Sequence, residues 1–140
     1  MRIFFVVLSL LFLGGCLSLN SSQLQLRELE FQKFKYEDIP LPKGFKFLIK
    51  DSIVTETGKM RAGALVFKGK ALPLEITNFY KTNMSNYGWR LLNIIEGKQS
   101  LMNFKKKDEI CTIRFEWKGG GGILTISFSP YFESELPEGK

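Results

Sequence analysis

Glu109-Ile110-Cys111-Thr112-Ile113-Arg114-Phe115-Glu116-Trp117-Lys118 sets the fold class. Cys111, Ile113, Phe115 and Trp117 fall on one side of an extended chain, and Thr112, Arg114 and Glu116 on the other. That period of two is the mark of a half-buried strand. Downstream, Gly119 to Gly122 closes a hairpin, and Ile123 to Ser129 repeats the period with Leu124, Ile126 and Phe128 on the core side. The four glycines precede a strand and lack a following Lys-Ser/Thr, so they form a hairpin tip rather than a phosphate-binding loop. Upstream, Trp89 to Ile95 and Ser100 to Lys106 flank a turn at Glu96-Gly97-Lys98, and Lys107-Asp108 turns into the quoted run.

Before this meander the period changes. Pro73 suits the first position of a helix. Ile76, Phe79, Tyr80, Met84 and Tyr87 recur at intervals of three and four, which predicts a helix from Pro73 to Tyr87 with one apolar stripe. Gly88 stands where a helix C-terminus calls for a left-handed residue. Earlier still, Phe45, Phe47 and Ile49 alternate with Lys46, Leu48 and Lys50. Ala64-Leu65-Val66-Phe67-Lys68 makes a second strand, after a turn near Glu56-Thr57-Gly58-Lys59. The order strand, strand, helix, four strands predicts an α+β domain: an antiparallel sheet of about six strands packed on one helix. Pro40 and Pro42 lead into it, and Pro130 ends the sheet. The expected domain is 39–130, with a loose tail at 131–140.

The N-terminus carries a different signal. Ile3 to Leu13 is apolar throughout except Ser9, follows Arg2, and ends in Leu13-Gly14-Gly15-Cys16. Eleven helical residues reach about 16 Å, roughly half the bilayer core, which fits a cleavable apolar region rather than a span. The pattern resembles a bacterial lipoprotein signal peptide, residues 1–15. The resemblance implies a diacylglyceryl thioether on Cys16, cleavage before it, and a mature chain held outside the cytoplasm. Leu17 stands where many inner-membrane-retained lipoproteins have Asp. By the family's sorting rule, the outer membrane facing the periplasm is favoured over the inner membrane. Residues 16–38 are then the lipidated N-terminus and a tether, with apolar Leu24, Leu26, Leu29, Phe31 and Phe34 at spacings that admit a short helix.

Leu41 to Phe128 also resembles small uncharacterised domains of bacterial lipoproteins. The likeness rests on Pro42-x-Gly44-Phe45, Arg61-Ala62-Gly63 and Phe79-Tyr80-x3-Met84-x3-Gly88-Trp89, followed by the hydrophobic hairpin. It implies a fold and an address, and brings no catalytic residues with it.

Removing residues 1–15 leaves 125 residues with 19 basic and 14 acidic side chains, a balance of +5. This is one domain by length, with 10 of the 13 Phe and both Trp left to fill a core. With Cys16 acylated, Cys111 has no intramolecular disulfide partner. There is no His, which removes the imidazole base, the commonest zinc ligand and the usual Ser-His and Cys-His pairs. The acidic residues Asp51, Glu56, Glu75, Glu96, Glu109 and Glu116 form no recognisable acid/base pair. No enzyme, metal or cofactor is expected, beyond the covalent lipid on Cys16.

What remains is binding. Lys105-Lys106-Lys107, with Lys43, Lys46, Lys50, Lys59, Arg61, Lys68 and Lys70, predicts a basic surface. Outside the cytoplasm such a surface meets anionic lipids or an acidic protein rather than nucleic acid, unless it serves solubility alone. One helix covers one side of a sheet. The other side is left to Met102, Phe104 and Tyr131, to Phe31 and Phe34, or to a partner. Lys105, Lys106, Lys107, Phe31 and Phe34 are therefore the candidate interaction surface. Cys111 is either a reactive thiol, as in a hydrolase, or a small buried hydrophobe, and its strand parity favours the second. The expected function is non-enzymatic binding of another envelope component in an accessory or assembly role. The alternative is an apolar ligand or lipid held between helix and sheet.

Overall fold

A computed structural model describes residues 37–132. The expectations at Cys16, Phe31 and Phe34, and for residues 133–140, lie outside the described residues.

The elements are β1 (Lys46–Phe47), β2 (Ile53–Thr57), β3 (Met60–Gly69), α1 (Pro73–Asn83), β4 (Arg90–Ile95), β5 (Gln99–Lys106), β6 (Glu109–Trp117) and β7 (Gly122–Pro130). The α+β expectation holds: among the described residues an open antiparallel sheet of seven strands carries one α-helix. Its order is β1-β3-β7-β6-β5-β4, with β2 also on β3. β4 to β7 form the predicted meander, and β7 closes onto β3. Every ladder is antiparallel, so β3 and β4 run in the same direction with three strands between them. The chain crosses that distance through α1, which lies over β5 and β6.

One difference concerns the first strand. Instead of one run from Phe45, the edge of β3 carries two pieces joined by a 3-10 turn at Ile49–Asp51. β1 pairs with Phe67 and Lys68, and β2 with Met60 to Ala64. Ser52 patches the break: its hydroxyl donates to the Leu48 carbonyl at 2.8 Å and accepts from the Val66 N–H at 2.9 Å. β2 then turns through Gly58 into β3, as the Gly58-Lys59 turn predicts.

The helix begins at Pro73, and the Glu75 carboxylate accepts the Leu72 N–H at 2.7 Å. It tightens to 3-10 geometry at Met84–Tyr87 and stops at Gly88, whose φ of 83° is left-handed. Ile76, Tyr80 and Met84 are buried on its inner stripe. They meet rows set by the sheet register: Phe104-Cys111-Phe128, Met102-Ile113-Ile126-Leu65 and Ser100-Phe115-Leu124-Phe67. Tyr80, Met84, Met102, Cys111, Ile113, Phe115 and Leu124 have no exposed surface. Met102 and Phe104 therefore belong to the helix-side core, not to the far face, because their parity follows Cys111 across the ladder.

Leading into β1, residues 38–45 close the rest of the same face. Ile39 is buried, and the Phe45 ring stands edge-on to Phe115 with centroids 6.2 Å apart. Asp38 and Tyr131, just outside the expected domain, are both held by it. The Trp89 indole N–H donates to the Asp38 carbonyl at 2.7 Å, and the Tyr131 N–H to the Asp108 carbonyl at 2.7 Å.

Candidate functional site: two ends and a bare face

Strand direction sorts the loops. At one end lie Asp38, the β2–β3 turn, the β5–β6 turn and Pro130. At the other lie the approach to β1, the β3–α1 connection, the β4–β5 turn and the glycine tip between β6 and β7.

The first end is built around Arg61. It opens β3 on the same parity as Leu65 and Phe67, so its side chain leans over the core and its guanidinium lies 5.7 Å from the Phe128 ring centroid. Arg61 donates to both Asp38 carboxylate oxygens, at 3.0 and 2.7 Å, and to both Glu109 oxygens, at 2.6 and 2.9 Å. Lys106 donates to the second Asp38 oxygen at 3.0 Å while standing 5.5 Å from the Trp89 ring centroid. Among the described residues two cations and two carboxylates thus meet at the rim of the core. Burial opposes the charge on Asp38, but hydrogen bonds from Arg61 and Lys106 outweigh it and hold the carboxyl below its ordinary range. Burial likewise opposes the charge on Arg61, and bonds to Glu109 and Asp38 raise its pKa regardless. A groove of about 380 Å³ opens beside this cluster, lined also by Lys59, Met60, Lys107, Asp108 and Pro130. A carboxylate held ionised by two cations is a poor proton acceptor near neutrality, so the arrangement acts as a clasp between the entry segment, β3 and the β5–β6 hairpin.

Behind the clasp, Cys111 is fully buried, and burial pushes its thiol far above its ordinary pKa. Such a thiol is protonated and unreactive. Among the described residues no group of three His, Cys, Asp or Glu side chains is placed to hold a metal. No helix among them is long and apolar enough to cross a membrane.

The lysine run does not converge. Lys105 lies on the bare face with its ammonium 3.7 Å from the Tyr131 ring centroid. Lys106 turns to the helix side and joins Asp38, and Lys107 occupies the turn with φ of 51°. A two-residue period sends Lys105 and Lys106 to opposite faces, and Lys107 lies past the end of the strand.

The second end is apolar at its centre. Leu72 and Leu74 are 56% and 62% exposed. They border a groove of about 420 Å³ lined also by Pro73, Thr77, Glu96, Gly97, Lys98, Ser100 and Trp117.

The face away from α1 is uncovered by the described residues. Across it runs a hydrogen-bonded polar stripe. Asn103 donates to Asn93 at 2.8 Å and accepts from Thr112 at 2.6 Å. Thr112 stands opposite Ser127 in the ladder. Leu101, Ile110, Ile123 and Val66 flank it, half-buried, and Ile53 and Ile95 at the margins are 69% and 63% exposed. On edge strand β4 a bulge between Leu91 and Asn93 breaks the register with β5 and leaves Leu92 exposed, while Leu91, opposite Phe104, lies on the helix side. The alternation of Thr112, Arg114 and Glu116 had marked this face, whereas nothing local marked the Arg61 cluster beyond Arg61-Ala62-Gly63. No family model matches the chain, and neither does any curated protein or solved structure.

Proposed function

We propose that this chain is an extracytoplasmic lipoprotein, anchored through a lipid on Cys16, whose domain works without catalysis by binding another envelope protein. The outer membrane facing the periplasm is the favoured address. The observation that carries the reading is Leu13-Gly14-Gly15-Cys16 directly behind an apolar run too short to span a bilayer.

The bare sheet face supports the binding role. Its mixture of Thr, Ser and Asn with half-exposed Leu, Ile and Val, carrying Lys68, Lys105, Arg114 and Glu116 on the same parity, is less apolar than a core and as mixed as a protein-binding surface. Such composition suits a non-obligate protein interface. The paired charges around Arg61 and the buried Cys111 thiol favour a non-catalytic role. An apolar ligand between helix and sheet is the weaker reading, because Ile76, Tyr80, Met84, Met102 and Phe115, none more than 2% exposed, already fill that space.

Growth with labelled palmitate, followed by crosslinking in intact cells and recovery of the chain, tests both halves. The expected result is a labelled chain with one dominant crosslinked neighbour, lost when Thr112 and Ser127 are replaced by Lys. An unlabelled chain overturns the address, and a labelled chain recovered only as a free monomer overturns the binding role.

A further inference from the structure

The end of the domain that carries Leu72 collects an unusual pairing of chemistries. Leu72-Pro73-Leu74 projects two exposed leucines from the β3–α1 connection, fixed in place because Pro73 opens the helix and Glu75 holds the Leu72 N–H. Lys43, Lys46, Lys68, Lys70, Lys98 and Lys118 stand on the surrounding strand ends and turns, and all six are exposed. Among the described residues three carboxylates share this end, and each is engaged. Glu75 takes the Leu72 N–H, Glu96 pairs with Lys81 at 2.9 Å, and Glu116 lies 3.9 Å from Lys118. The result is an apolar knob and six lysines at one end of the domain: Lys98 lines the Trp117 groove beside the knob, and Lys46 and Lys68, paired in the ladder, stand on the face away from α1.

We propose that this end docks on an anionic membrane surface. Lysine ammonium groups gain from headgroup phosphates, while two leucines and the edge of an indole lose contact with water among the upper acyl carbons. Neither element suffices alone, because exposed lysines are ordinary and two leucines bury little area. Their meeting at one end of the domain matches the layered chemistry of a bilayer surface, charge outside and hydrocarbon beneath. The proposal stands on the folded domain and does not depend on acylation of Cys16. It is also compatible with that anchor. The 20 residues between Cys16 and Glu37 reach about 70 Å when extended, whereas the ten residues of β3 rise only about 33 Å.

Trp117 is a built-in reporter, since the other indole, Trp89, is 2% exposed and lies at the opposite end of the sheet. The full chain, its N-terminal mass measured first, is reconstituted into vesicles carrying brominated acyl chains. One set is zwitterionic phosphatidylcholine, and the other contains 30% phosphatidylglycerol. Expected is quenching of the Trp117 component in the anionic set, at least threefold stronger than in the zwitterionic set and relieved by 0.5 M salt. Leu72→Ser with Leu74→Ser should remove most of it, as should Lys70→Glu with Lys98→Glu, while both variants keep the wild-type melting transition. Equal quenching in the two sets overturns the proposal, as does quenching indifferent to the leucine pair. Shielding of Trp117 by a concentration-dependent dimer, seen without vesicles by light scattering, also overturns it. A chain lacking the lipid mass while still quenched removes the Cys16 anchor and leaves this surface standing.

Discussion

Trp89 and Asp38 are joined across 51 positions of sequence by one hydrogen bond, from the indole N–H to the Asp38 carbonyl at 2.7 Å. The same Asp38 presents its carboxylate to Arg61 and Lys106. Backbone and side chain of a single entry residue thus tie the approach to β1 to the start of β4, the start of β3 and the end of β5. Trp89→Phe keeps most of the apolar ring and removes the donor. The expected cost is about 1–2 kcal/mol in denaturant unfolding, one hydrogen bond plus imperfect packing. If the entry segment contributed nothing, the midpoint would not move.

Arg61 neutralises two carboxylates at the rim of the core, so Arg61→Met leaves Asp38 with Lys106 alone and Glu109 with no cation. All four side chains keep some solvent, at 22–26% exposure. The loss should therefore fall below that of a deeply buried pair, at about 2 kcal/mol. The pH dependence follows from the direction of the Asp38 shift. Its folded pKa lies below the unfolded value, so the contribution is fully present above about pH 4. It disappears as pH falls through that value toward the lower folded one. Wild-type stability should drop on acidification below about pH 4, and the same measurement on Arg61→Met should give a shallower slope. Parallel slopes would show that the clasp does not govern acid sensitivity.

Much of this fold could be read before any coordinates, and the readable parts share one physical property. α1 and β6 each bury one face against a single layer, so their apolar residues recur with the period of their own backbone. β2 was missed because it sits at the edge of β3 with only Val54 half-buried, and its ladder is broken by a 3-10 turn that Ser52 patches through tertiary contacts. The Arg61 clasp was illegible for a different reason. Its partners lie 23 and 48 positions away: Glu109 arrives because β7 pairs with both β3 and β6, and Asp38 because the entry segment is held to Trp89. Lys105-Lys106-Lys107 misled because a run in sequence becomes an alternation in space once it is a strand.

Gly63 marks a close approach that a side chain cannot enter. A Cβ there would collide with the Ile53 carbonyl oxygen and lie 2.9 Å from the Val54 Cα, both backbone atoms that cannot move without breaking the β2–β3 ladder. Gly63→Ala should cost about 1–3 kcal/mol through strain. Gly97→Ala makes a fair control: its nearest contact would be an ordinary 3.6 Å, and it should change stability by less than about 0.5 kcal/mol. Paired thermal melts distinguish the two, and similar values for both would show that β2 can shift to make room.

Tyr80 and Cys111 together test whether the interior holds anything but packing. The Tyr80 hydroxyl is fully buried with no hydrogen-bond partner among the described residues, and burial raises its pKa well above the ordinary phenol value. A donor withdrawn from water and left unpaired opposes folding, so Tyr80→Phe should be neutral or stabilising by up to about 1 kcal/mol. A clear loss of stability would mean that the hydroxyl does have a partner. Cys111 faces the same interior, and with its pKa raised by burial it should resist an electrophile in the native state. Its labelling rate should rise only as denaturant opens the sheet and should follow the unfolding curve. Fast labelling of the native chain would place the thiol within reach of solvent and revive its candidacy as a nucleophile.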